Sequence, residues 1–111
     1  MLGSQRRPVE QERRRSPRFP FIASAEVREE NNGSQLSARI SDISALGCYV
    51  DMINPLPNGT SVCVKIFSEA QSFEAAATVA YSLTHLGMGL RFNEVGQNSA
   101  NVLRQWLPAA D

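Results

Sequence analysis

The chain is poor in the residues from which catalytic and metal sites are built. It holds one histidine and two cysteines in 111 residues. A zinc site takes three or four closely spaced nitrogen, sulfur or carboxylate ligands, and there is no C-x-x-C pair to begin one. His85 reads as a turn residue, and no histidine shares the stretch holding Asp42 and Ser44, so no triad can be assembled there. Neither a Walker-type phosphate loop nor G-x-G-x-x-G occurs, and Gly87-Met88-Gly89 is too short and strand-like to replace them. Adjacent carboxylates are limited to Glu29-Glu30. These absences argue for a binder rather than an enzyme.

Long apolar runs are missing too. Nothing approaches the roughly eighteen residues that cross a bilayer, so no membrane association is expected. The N-terminus, MLGSQRRPVEQERRR, is basic but has no apolar stretch behind it, unlike a secretory signal. The chain therefore reads as cytoplasmic. Cys48 and Cys63 both lie in apolar alternating stretches and are expected to be buried, reduced thiols.

What is present suits one globular domain, with 42% apolar and 20% charged residues. The net charge is zero, but its distribution is uneven. Residues 1–18 hold six arginines against Glu10 and Glu12, whereas the remainder holds five basic and nine acidic side chains. A basic arm on an acidic body invites an anionic partner at the arm. Residues 1–17 are nearly devoid of apolar side chains and contain Pro8 and Pro17, so residues 1–18 are expected to be a flexible arm.

From Phe19 onward the pattern becomes period two. Phe21, Ala23, Ala25 and Val27 alternate with polar residues, Asn31-Asn32-Gly33 supplies a hairpin turn, and Leu36, Ala38 and Ile40 continue on a second strand. Cys48, Val50 and Met52 share one face of a third strand. A turn-rich NPLPNGT follows, and then Val62, Val64 and Ile66 mark a fourth strand. Phe73, Ala75, Ala77, Val79 and Tyr81 line a long fifth, and Leu86, Met88, Leu90 and Phe92 face inward from a sixth. From Asn98 the spacing of Val102, Leu103, Trp106 and Leu107 is helical until Pro108. Residues 19–111 are thus expected to be mainly β: a six-stranded antiparallel barrel capped by a C-terminal helix.

Two stretches carry recognition chemistry. Pro17 disfavours helix at Ser16. In an extended chain Arg14 and Arg18 then project to the same side, about 13 Å apart at ~3.3 Å per residue. A bend at Ser16-Pro17 brings them closer. The guanidinium fork suits phosphate and also the O6/N7 edge of guanine. The second stretch, DISALG, offers the Asp42 carboxylate, the Ser44 hydroxyl and then Gly47, which permits close backbone approach. A carboxylate accepts from the N1–H and N2–H₂ of guanine, which arginine cannot do. Together the stretches fit a guanine nucleotide better than a bare anion.

Arm, hairpin, D-x-S-x-x-G at the end of the second strand, four more strands and a helix follow in order. In this the chain resembles the PilZ family, whose members bind the bacterial second messenger cyclic di-GMP. The resemblance rests on Arg13-Arg14-x-x-x-Arg18, on Asp42-x-Ser44-x-x-Gly47 and on the GMGLRF strand, and covers residues 10–107. It implies a barrel with the nucleotide lying between arm and barrel surface. Arg14 and Arg18 would hold phosphate and guanine, Asp42 and Ser44 the guanine edges, and Gly47 would leave room. Arg13 resembles the variant in which the family takes up two stacked nucleotides. Tyr81 falls where some relatives place an aromatic against a base, although even spacing would put it in the core. No cofactor or metal is expected beyond the ligand, and with no output domain the signal is expected to pass to a separate protein partner. Two alternatives remain: a ligand-independent adaptor of the same fold, and a small barrel binding single-stranded nucleic acid. The acidic body and the lack of an exposed aromatic row weigh against the latter.

Overall fold

The computed structural model describes residues 17–108. Six strands form β1 (Phe19–Glu29), β2 (Gln35–Ile43), β3 (Gly47–Asp51), β4 (Ser61–Ser68), β5 (Gln71–Leu83) and β6 (Gly87–Val95), followed by α1 (Gln97–Trp106). Every pairing is antiparallel, and the order β1-β2-β3-β6-β5-β4 closes into a barrel because β1 also pairs with β4. Closure leaves no free sheet edge. The expected six-stranded barrel with a C-terminal helix is what the chain forms.

Local chemistry explains the first hairpin. Gly33 takes φ +74°, the left-handed conformation that glycine adopts without penalty. Its N–H donates to the Glu29 carbonyl at 2.8 Å, and Asn32 Oδ1 accepts from Ser34 N–H at 2.8 Å. The interior follows the alternation. Val27, Ile40, Val50, Val62, Val64, Ile66 and Phe73 are wholly buried. Ala23, Ala25, Ala75 and Ala77 are small inward residues beside Phe73 and Met88, a mixture that fills a narrow barrel. α1 seals one opening with buried Leu103, while Trp106 packs 5.0 Å from Phe21 and 6.3 Å from Phe73. Ser99 on α1 accepts the Glu74 backbone N–H at 3.0 Å, tying the helix to β5.

The strand ladders shift register at four places, two of which re-aim a polar side chain. Between β2 and β3 the register shifts from Ile40↔Val50 to Asp42↔Tyr49, so β2 carries one extra residue at Ser41. Ile43 consequently takes the buried position and Asp42 faces outward. Between β5 and β6 the register shifts from Val79↔Leu90 to Tyr81↔Gly89, with Ala80 as the extra residue. This bulge turns Tyr81 out of the core that strict alternation would have given it.

Two other expectations are corrected. Leu86 is 63% exposed rather than inward, because the chain reverses at His85 (φ +70°) and β6 begins only at Gly87. Cys63 is half-buried on the outer face, between inward Val62 and Val64, where its thiol donates to Glu74 Oε2 at 3.3 Å. Cys48 is buried as expected, and both thiols are free. Burial, reinforced by the charge of Asp42, pushes the Cys48 thiol up to about 12. No helix among the described residues is long and apolar enough to cross a membrane.

Truncating Trp106 to alanine should destabilise the protein by about 3 kcal/mol, near the low end for large aromatics because the ring is only half-buried. Urea unfolding of Trp106→Ala measures this. A negligible loss would mean that α1 lies outside the cooperative core.

Candidate functional site

The two bulges converge on one face. Asp42 at the end of β2 and Tyr81 late in β5 flank the shorter β3 and the start of β6, and Arg18 enters β1 beside both. Arg18 Nη1 lies 3.9 Å from Asp42 Oδ2, and its guanidinium carbon lies 5.8 Å from the centroid of the Tyr81 ring. A cavity of about 220 Å³ opens here, lined by Arg18, Ser44, Leu46, Gly47, Tyr81 and Arg91 among others.

Asp42 is the electrostatic centre. Its Oδ1 is buried and has no hydrogen-bond partner among the described residues. Burial raises its carboxyl above the usual aspartate range, opposed by the Arg18 charge and the Tyr49 backbone N–H. Paired buried oxygens are the rule, so an orphan acceptor beside a cation marks a position suited to an incoming donor.

Ser44 and Gly47 have different work. Ser44 is buried, and its Oγ accepts from the backbone N–H groups of Leu46 at 3.2 Å and Gly47 at 3.1 Å. Its own N–H donates to the Gly47 carbonyl at 2.8 Å, which closes the β2–β3 turn. The turn is in turn pinned to β6 by Phe92 N–H donating to the Leu46 carbonyl at 2.7 Å. A Cβ on Gly47 would collide with the Leu90 carbonyl of β6, so glycine there lets the strands meet. The serine and the glycine of D-x-S-x-x-G thus shape the turn that follows Asp42, and both line the cavity.

Five contributors escaped sequence reasoning. Tyr49 pairs with Tyr81 at a ring separation of 6.2 Å. A Cβ at Gly89 would strike the Tyr81 ring, and one at Gly87 would strike the Val50 carbonyl and the Tyr49 ring. The two glycines of GMG therefore recess β6 so that the tyrosines lie against it. Leu46 and Arg91 complete the wall. Only the glycine spacing hinted at this recess, and it is visible only once strand partners are known. Of the expected site residues, Arg18, Asp42, Ser44, Gly47 and Tyr81 come together, whereas Arg13 and Arg14 lie outside the described residues. No group of three or more side chains able to hold a metal ion occurs among the described residues. Cation, orphan acceptor and aromatic ring together suit a planar, polar ring carrying N–H donors next to an anionic group.

The comparisons agree with this frame. The PilZ domain profile matches residues 12–108, and the chain belongs to the PilZ family, a family of binding and adaptor modules. Among solved structures it is similar to the Bacillus subtilis inhibitor of motility MotI/DgrA, with a TM-score of 0.70 at 19% identity. That match covers 85% of this chain and 49% of MotI/DgrA, so the chain spans about half its length. It is also similar to the PilZ domain of CeSA from a cellulose-synthesizing bacterium, with a TM-score of 0.64 at 16% identity over 80% of this chain and 92% of that domain. At these identities the likeness is one of fold. No curated protein matches the chain by sequence.

Gly47→Ala should cost about 3 kcal/mol, because backbone must move, while Gly89→Ala should cost about 1 kcal/mol, because the Tyr81 ring can swing aside. Denaturant midpoints of the two variants test the ranking. Equal losses would show that strand approach at Gly47 is not limiting.

Proposed function

We propose that the chain is a cyclic di-GMP receptor that binds the dinucleotide against the Arg18–Asp42–Tyr81 face and passes the signal to a protein partner. The observation that carries this reading is the buried Asp42 Oδ1 without a hydrogen-bond partner, next to a guanidinium and an aromatic ring. Guanine supplies two donors, N1–H and N2–H₂, that a carboxylate can accept together. Arg18 lies only 3.9 Å from Asp42 in a half-exposed pair, a weak tie that leaves its fork available for phosphate or for the O6/N7 edge. Tyr81 offers a face for base stacking. Arg14 would add a second phosphate grip, and Arg13 a third where two nucleotides stack. The bound nucleotide, with the arginines that hold it, would present a new surface to the partner.

One observation favours the ligand-independent adaptor instead. Ser44 and Gly47 are needed by the β2–β3 turn whether or not nucleotide binds, so their presence alone does not require a ligand. Arg18 and Asp42 are the residues on which the two readings differ.

Calorimetric titration with cyclic di-GMP decides between them. Arg18→Ala and Asp42→Ala should each weaken binding ten- to a hundredfold, the loss of a charge-assisted hydrogen bond at ~1.5–3 kcal/mol. Asp42→Ala should leave thermal stability unchanged or raised, since it removes an orphan buried oxygen. Cyclic di-AMP should be rejected. No heat with the wild-type protein would establish the adaptor.

A pH dependence follows from the raised Asp42 carboxyl. Guanine donors favour the ionised form, so the complex lowers this pKa and releases a proton on binding within the window between bound and free values. Affinity should therefore rise as pH rises through the raised Asp42 pKa and level off once the carboxyl is fully ionised in the free protein. Titrations in buffers of different ionisation enthalpy measure the proton release. A flat profile in the wild type would remove Asp42 from the contact.

A further inference from the structure

Arg91 stands on β6 directly across from Gly47 of β3 on one side and Thr78 of β5 on the other. It lines the same cavity as Arg18, from the other strand. Its side chain is exposed, and it forms no hydrogen bond or ion pair among the described residues. Three other arginines differ. Arg18 is engaged with Asp42 and Tyr81, Arg39 with Asp51 at 3.3 Å, and Arg104 with Asn101. The cross-strand neighbour of Arg91 on β3 brings no side chain, so nothing on that strand competes for the guanidinium or screens it from the cavity.

We propose that Arg91 is a further ligand-binding residue, a strand-borne cation that grips a phosphate of the nucleotide from the β6 side of the cavity. This rests on the cyclic di-GMP reading of the site. A cyclic dinucleotide carries two phosphodiesters, so a cavity with a cation on each of two strands can hold its anionic groups from two sides. Arg18 serves one side and Arg91 the other. Arg91 is fixed to a paired strand, so its place at the cavity is set by the barrel itself.

A charge series at this position tests the role by calorimetry with cyclic di-GMP. Arg91→Lys should bind within about twofold of wild type, Arg91→Ala about fivefold more weakly, and Arg91→Glu at least tenfold more weakly. Added salt should narrow these differences, because the contact is solvent-screened. All three variants should melt with the wild type, since the side chain supports no packing. If the wild type binds and the Ala and Glu variants bind equally well, the Arg91 inference fails while the receptor reading stands. Loss in Lys equal to loss in Glu would also overturn it, since charge would then not be the cause. If the wild type does not bind, both fall together.

Discussion

Asp42 points outward from the barrel because β2 carries one residue more than β3 can pair with. The extra residue at Ser41 hands the core position to Ile43 and releases the carboxylate to the outer face. The same device, an unpaired Ala80 in β5, releases Tyr81. Bulges cost local hydrogen bonding and are tolerated where they re-aim a side chain. Here two of them, on strands flanking β3 and β6, aim at a common face. Without them an acid would sit in an apolar barrel and a tyrosine in a core built to hold small residues.

The face so formed separates scaffold from chemistry. Ser44 saturates the turn, Gly47 lets β3 lie against the Leu90 carbonyl, and Gly87 and Gly89 recess β6 under the two tyrosines. None of these four brings charge. The charge comes from Arg18 and Asp42, held at 3.9 Å, too far for a strong pair and near enough for each to bias the other. The cost is an orphan buried oxygen and a carboxyl raised above its usual range. A protein selected for stability alone would place an apolar residue there.

Alternation identified all six strands, the turns between them and the helix, because inward positions in a closed barrel must be apolar on every strand. It misplaced Leu86 and Tyr81, where the chain leaves regular pairing. Leu86 matched the parity of Met88 but lies in a reversal of direction at His85, and parity is not conserved through a turn. Cys63 sits among valines in sequence, yet adjacency in a strand means opposite faces. Tyr81 continued a perfect even series and was turned out by a single inserted residue. Of the candidate site, the charged and motif residues were legible because their chemistry is unusual in such positions. Tyr49, Leu46, Gly87, Gly89 and Arg91 were not, since each is ordinary in isolation and acquires meaning only from its cross-strand neighbours.

The order of strands, the closing helix and the presence of an arginine-rich segment ahead of an acid-bearing turn were determined by the sequence itself, through periodicity, turn chemistry and charge. Which of those side chains meet was decided by tertiary structure alone. Register is a property of pairs of strands, and a one-residue slip exchanges core for surface. The local sequence around Asp42 and Tyr81 does not contain that information. It resides in the match between each strand and the neighbour it pairs with.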